Sequence, residues 1–168
     1  MAQAVVVYFD DEADAAVRAL WQRLRHANVP IADKVAPHLT YALAGSIPRG
    51  ARTALREELS RLWLPGMALE NLSSFATSEN VLMLSAVVDA ELLAVHSAIH
   101  DVLARKVKNS SAYYLPGHWV PHCTLAHGLT DEQMVAGFAA LHPVSPIRAK
   151  VGRVCVVDSA TGETDQLT

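Results

Sequence analysis

The sequence predicts an α+β fold with a duplicated, two-lobed architecture, and two observations carry that expectation. Pro37-His38-Leu39-Thr40 returns as Pro121-His122-Cys123-Thr124, 84 positions further on. Around each copy the hydrophobic periodicity reads strand, helix, motif strand, helix, strand. The 168 residues suit one compact unit, since ~100–200 residues are typical of a domain. One bilobal domain over 1–168 is therefore expected, with pseudo-repeats 4–79 and 81–158 joined near Ser78-Glu79-Asn80. A pseudo-twofold relation between the halves would set His38 and His122 symmetrically about a central cleft.

Ala4-Val5-Val6-Val7-Tyr8-Phe9 is a β-branched and aromatic run that ends in acid, the mark of a strand. Asp11 to His26 follows with helical spacing through Ala15, Val17, Leu20, Trp21 and Leu24. After the first motif strand, Gly45 to Gly50 with Pro48 makes a turn, and Ala51 to Trp63 carries Leu55, Leu59 and Leu62 on one helical side. Pro65-Gly66 stops that helix. Met67 to about Phe75 reads as a strand, and Val81 to Asp89 repeats the opening pattern of an apolar strand ending in acid. A helix from Ala90 to Lys106 leads to the second motif strand, Asp131 to Leu141 gives the next helix, and Val151 to Val157 closes the second copy. The residues after Ser159 read as a turn, a loose end or a final hairpin.

On an extended strand alternate side chains share a face, so each His lies beside its Thr while Leu39 or Cys123 points the other way. An imidazole near neutral pKa takes or gives a proton, and a hydroxyl donates to an anionic oxygen. A phosphodiester between two such strands would have a proton acceptor on one flank and a donor on the other. The chain holds eight His and eight Thr, so one His-x-Thr match would be ordinary coincidence. Two copies, each preceded by Pro and each followed by an apolar residue and Ala, are not.

The paired His-x-Thr strands in a duplicated α+β chain of this size resemble the 2H (two-histidine) phosphoesterase superfamily, which includes the 2′-5′ RNA ligases and cyclic nucleotide phosphodiesterases. The resemblance runs from Val5 to about Asp158. It implies antiparallel sheets lining a central cleft with helices outside. It also implies hydrolysis, or reversible formation, of a phosphodiester at a ribose 2′-oxygen, commonly a 2′,3′-cyclic phosphate, without a metal. Carried onto this chain, His38 and His122 are the catalytic pair, one as base and one as acid, and Thr40 and Thr124 hold the phosphoryl oxygens.

Many ligase-like members of that superfamily carry a basic residue just after each motif, where this chain has Ala42 and His127. With a formal net charge of −3 and a pI near 6.2, a polynucleotide is the weaker expectation, because nucleic-acid binders usually present a basic face. A nucleotide or short RNA with a 2′,3′-cyclic phosphate or 2′-5′ linkage fits better. The candidate substrate contacts are Tyr41, His127, Tyr114 and Trp119, with Tyr113 beside them. The aromatic residues before the second motif flank Pro116-Gly117, where they can stack on a base. Lys34, Arg49, Arg52, Arg105, Lys106 and Lys108 are the cations nearest the motifs. The alternatives are a 2′-5′ ligase-type reaction, a diester of another kind such as one derived from ADP-ribose, and a non-catalytic nucleotide- or RNA-binding module.

His96 and His100 stand four apart on a helix, a spacing that can chelate, but no third ligand follows in a recognisable zinc pattern, so neither metal nor cofactor is expected. His26, His118 and His142 read as surface or loop residues. Cys123 and Cys155 fall inside strands and give no disulfide framework, and Cys123 reads as a small buried residue rather than a nucleophile. No apolar run approaches the ~20 residues that span a bilayer. A cytoplasmic monomer is the expectation.

Overall fold

The structure, a computed structural model, describes residues 2–168. Its elements run β1 (Gln3–Phe9), α1 (Asp11–His26), β2 (His38–Ala44), α2 (Arg49–Arg61), β3 (Met67–Ser73), β4 (Leu82–Ala86) and α3 (Ala90–Lys106). A single 3-10 turn (Ala112–Tyr114) precedes β5 (His122–Ala126), α4 (Asp131–Leu141), β6 (Ile147–Ala149), β7 (Val151–Asp158) and β8 (Thr164–Gln166).

Local chemistry accounts for the helix ends. Asp11, Glu12 and Asp14 open α1 and Arg23 and Arg25 lie in its last turn, each charge matched to the helix dipole. The Asp89 carboxylate accepts the Leu92 N–H at the start of α3. Thr130 and Gln133 form a reciprocal capping box on α4. α2 begins two residues before Ala51, with Pro48 at its N-cap, and ends before Trp63, which is 72% exposed.

Two antiparallel four-stranded sheets form, in the orders β2-β1-β7-β8 and β5-β4-β3-β6. The sheets and the sequence repeats divide the chain differently. β3, the last strand of the first repeat, pairs with β4 and β6 in the second sheet, while β7 crosses back to pair with β1. Helices pack across the same division: α1 lies against α4 and β6, and α3 lies against α2 and β2. One continuous core joins Val5, Val7 and Leu39 of the first sheet to Leu82, Leu84 and Leu125 of the second.

Other strand ends shift for identifiable reasons. β4 stops at Ala86, leaving Val87 and Val88 about half exposed, and β3 stops at Ser73, which frees Phe75 from the sheet. β6 has three residues, too few for a period of two to register in sequence. The tail forms the hairpin alternative, with β8 paired to β7. Among the described residues no helix is long and apolar enough to cross a membrane.

Candidate active site

β2 and β5 are the edge strands of their sheets, and these two edges meet. The backbone N–H of Ala32, ahead of β2, donates to the Leu125 carbonyl at 2.9 Å, and the His38 backbone N–H faces the Cys123 thiol. The His-x-Thr motifs are thereby brought side by side. In both strands His and Thr are partly exposed while the residues between and after them are buried. Alternation puts the polar pair on the open face and Leu39 and Cys123 in the core.

Each motif is followed by a bulge. Along β1 and β2 the register passes from Val6↔Thr40 to Val5↔Ala42, leaving Tyr41 without a single opposite residue. Along β4 and β5 it passes from Met83↔Thr124 to Leu82↔Ala126, leaving Leu125 in the same position. Bulges bend a strand and turn carbonyls out of the ladder. The Tyr41 carbonyl accepts from His100 Nε2 at 3.0 Å, as the Leu125 carbonyl does from Ala32.

The two histidines are anchored alike. His38 Nδ1 lies 2.8 Å from the Ala36 carbonyl, and His122 Nδ1 lies 2.7 Å from the Val120 carbonyl. A carbonyl only accepts, so Nδ1 carries the proton and Nε2 keeps the lone pair in the neutral ring. Neither Nε2, and neither Thr hydroxyl, is engaged in a hydrogen bond among the described residues. Burial lowers the pKa of both rings below the usual 6.5, and His122 is lowered further by the charge of His38. That repulsion acts between rings on two edge strands that meet. It also favours a state with one charged imidazole over a state with two.

Each motif has its own flanking residues. Tyr8 stands opposite His38 on β1, with ring centroids 6.0 Å apart, while the edge of Phe75 meets His122 at 5.1 Å and 89°. Val6 stands opposite Thr40 and Met83 opposite Thr124. Both are almost fully shielded yet lie outside the core cluster, as does Cys155.

A cavity of about 440 Å³ opens beside His122, between Phe75 and the segment bearing Tyr113, Tyr114, His118 and Trp119. Tyr114 and Trp119 therefore line the same space as His122, and so does His118, which sequence placed among surface or loop residues. Tyr41 does not line it. Its side chain is fully buried in the core, its hydroxyl has no hydrogen-bond partner among the described residues and burial raises its pKa. The alternation that puts His38 and Thr40 on the cleft side puts Tyr41 on the other, so it is corrected from a substrate contact to a core residue. His127 lies exposed beyond the end of β5, just before Gly128 at φ 65°, and makes no hydrogen bond among the described residues.

The outer wall is held from behind. Trp119 Nε1 donates to the Thr40 carbonyl at 3.0 Å, and its ring stacks on His96 at 3.9 Å and 1°. His96 Nε2 donates to the Tyr114 carbonyl at 2.8 Å, and the His96 and His100 rings lie 4.4 Å apart. Both imidazoles are buried and spend a ring nitrogen on a backbone carbonyl. Among the described residues no three His, Cys, Asp or Glu side chains gather as a metal-holding group. The Cys123 thiol is pushed up to about 12 by burial and is inert as a nucleophile. Arg52 is tied to Asp165 and the Ile47 carbonyl, away from the motifs.

A family model, described as the 2′-5′ RNA ligase superfamily, matches residues 9–163. The chain belongs to this superfamily of two-histidine phosphoesterases and ligases. No curated protein matches the chain. Among solved structures, E. coli LigT complexed with 3′-AMP is 15% identical, with 98% of this chain and 91% of LigT covered and a TM-score of 0.59. The MHV ns2 PDE domain is 18% identical over 76% of this chain and 78% of that one, at 0.57. Kluyveromyces marxianus Usb1 is only 5% identical yet is covered over 97%, against 99% of this chain, also at 0.57. At these identities the likeness establishes a shared fold. It is an α+β fold with two antiparallel sheets, in a superfamily that is enzymatic.

Proposed function

We propose that the protein is a phosphodiesterase that opens a 2′,3′-cyclic phosphate, or cleaves a 2′-5′ phosphodiester, on a nucleotide or short RNA end by two-histidine acid–base catalysis without a metal. The observation that carries this reading is the doubled anchor: each imidazole has Nδ1 fixed to a carbonyl two residues back, a free Nε2 and a free Thr hydroxyl beside it. A module that only bound nucleotides would have no use for two such proton-transfer groups.

In the reaction, the neutral imidazole removes a proton from water through Nε2 as the water oxygen attacks phosphorus. The P–O bond to the ribose oxygen breaks, and the other imidazole, protonated, gives its Nε2 proton to that oxygen. The products are a phosphomonoester and a ribose hydroxyl, and the histidines exchange protonation states and re-equilibrate with solvent. Each proton transfer is worth about 10²–10⁴-fold in rate. The two Thr hydroxyls donate to the phosphoryl oxygens, where charge builds. The E. coli LigT structure is complexed with 3′-AMP, and a 3′-monophosphate is one of the two products that opening a 2′,3′-cyclic phosphate can give. With a 5′-hydroxyl in place of water as the nucleophile, the same proton transfers join that oxygen to the phosphorus of a 2′,3′-cyclic phosphate and release one ribose hydroxyl, which is ligation. Two unpaired, buried cysteines suit a reducing compartment such as the cytoplasm.

The test is turnover of the four nucleoside 2′,3′-cyclic monophosphates in EDTA by the native protein, His38→Ala and His122→Ala. Turnover that survives chelation and falls at least about 10²-fold in each variant is expected. Activity retained in either variant would overturn the mechanism.

A further inference from the structure

The register of the first sheet places a cation on the catalytic face that local sequence pattern does not reveal. Tyr8 stands opposite His38 on one side and opposite Arg153 of β7 on the other. Directly opposed residues of antiparallel strands project to the same face, so His38, Tyr8 and Arg153 form one row. The Arg153 guanidinium carbon lies 4.8 Å from the Tyr8 ring centroid, and that ring is the one 6.0 Å from His38.

Arg153 has no carboxylate partner among the described residues. Its neighbours are the Tyr8 ring and the Cys155 thiol. The acid nearest on the adjoining strand, Asp165, is already held by Arg52 and Arg56. The Tyr8 ring fixes the guanidinium plane by cation–π contact and leaves most of its five N–H donors free.

Two strand spacings separate Arg153 from His38, roughly 10 Å. The Tyr8 ring stands between the guanidinium and His38, which suits the cation to a second anionic group on the same nucleotide rather than to the phosphoryl group in reaction at His38 Nε2. The aromatic cavity lies on the opposite flank, beside His122. A base in that cavity leaves the Arg153 side to the far end of the ribose.

We propose that Arg153 forms a second anion subsite, and that the preferred substrates carry a phosphate in addition to the diester that is cleaved, the simplest being a 5′-phosphorylated nucleoside 2′,3′-cyclic phosphate. The planar guanidinium favours phosphate because its donors match two phosphate oxygens at once. The proposal rests on the phosphodiesterase reading for its substrate, and its test separates the two.

Binding of adenosine 3′-monophosphate and adenosine 3′,5′-bisphosphate is measured by calorimetry on the native protein and on Arg153→Gln, an exposed substitution whose fold is checked by thermal melting. In the native protein the bisphosphate binds about tenfold more tightly or better, the range of a charge-assisted hydrogen bond, and salt erodes the gain. Arg153→Gln loses the gain and leaves the monophosphate within about twofold. Equal binding of the two ligands by the native protein, or a gain retained in Arg153→Gln, overturns the subsite. Turnover is followed in parallel with 5′-hydroxyl and 5′-phosphate cyclic substrates, where the subsite lowers KM and leaves kcat unchanged. If the native protein turns over neither substrate yet prefers the bisphosphate, the phosphodiesterase reading fails and the subsite stands.

Discussion

Acid should destabilise the protein through the wall of the aromatic cavity, and His96 is the group responsible. Its ring is 1% exposed, sits 4.4 Å from His100 and is covered by Trp119. Burial, followed by the charge of His100, lowers its pKa from 6.5 to about 4, against a smaller upward pull from the carbonyls it faces. Between those two values the unfolded chain takes up a proton that the folded protein refuses. Stability is therefore complete above about pH 6.5 and is lost as the pH falls toward 4. One pKa unit is worth about 1.4 kcal/mol, so the linkage at pH 5 is about 2 kcal/mol, and water entry around the pair reduces this to roughly 1–2 kcal/mol. Urea unfolding at pH 7.5, 6 and 5 measures it directly. His96→Gln keeps a side-chain N–H for the Tyr114 carbonyl but cannot titrate. The native protein should lose roughly 1–2 kcal/mol more than the variant between pH 7.5 and 5, at unchanged m-value. Equal losses in both proteins would refute the assignment, because His38, His122 and every carboxylate are common to the two.

Two further outcomes follow from the site. Because burial lowers both catalytic pKa values, kcat/KM should be bell-shaped with its maximum on the acid side of 6.5; a bound phosphate favours imidazolium, so the kcat profile should lie at higher pH. A kcat/KM that still rises above pH 7.5 would contradict the geometry of two coupled, partly buried histidines. Thr40→Val and Thr124→Val remove one hydroxyl donor each at nearly constant shape. Each should cut kcat about 10–100-fold, the worth of a hydrogen bond to a charged oxygen, without moving the pH profile. A fall below twofold in steady-state kinetics would remove that Thr from the machinery.

The sequence carried the site more completely than it carried the pairing of the strands. His38, Thr40, His122 and Thr124 were legible because their geometry is local: two residues apart on a strand means one face. That same rule assigns Tyr41 to the core, and it outweighs nearness to the motif as a guide. Tyr8, Phe75 and Arg153 were not legible, because what makes them neighbours of the site is register across strands distant in sequence or, for Phe75, the early end of β3. His96 and His100 were visible as a helical pair. Their role as a buried clamp depends on Trp119 and on carbonyls exposed by the bulge at Tyr41, which no spacing encodes.

The exchange of β3 and β7 between repeats explains why the two motifs form one site. Had each repeat closed its own sheet, β2 and β5 would be edges of separate lobes, free to move relative to each other. Here β7 returns to β1 and β3 crosses to β4, so each sheet contains chain from both halves and the core runs through both without a break. The two edges are then covered in ways that leave the cleft open. Trp119, His100 and the Ser111 N–H take the carbonyls of Thr40, Tyr41 and Leu43 on β2, while Ala32 takes that of Leu125 on β5. On β2 those carbonyls are satisfied by side chains and loop backbone rather than by another strand, which blunts that edge as a ladder for another chain. The His and Thr side chains gain a fixed mutual position without a strand lying between them. The surroundings are nonetheless unequal: a tyrosine beside His38 with a guanidinium against that tyrosine, and a phenylalanine and an aromatic cavity beside His122. On the proposed reading a duplicated pair of proton-transfer groups could act on a diester from either direction, and the unequal flanks would give the substrate one direction in which to lie.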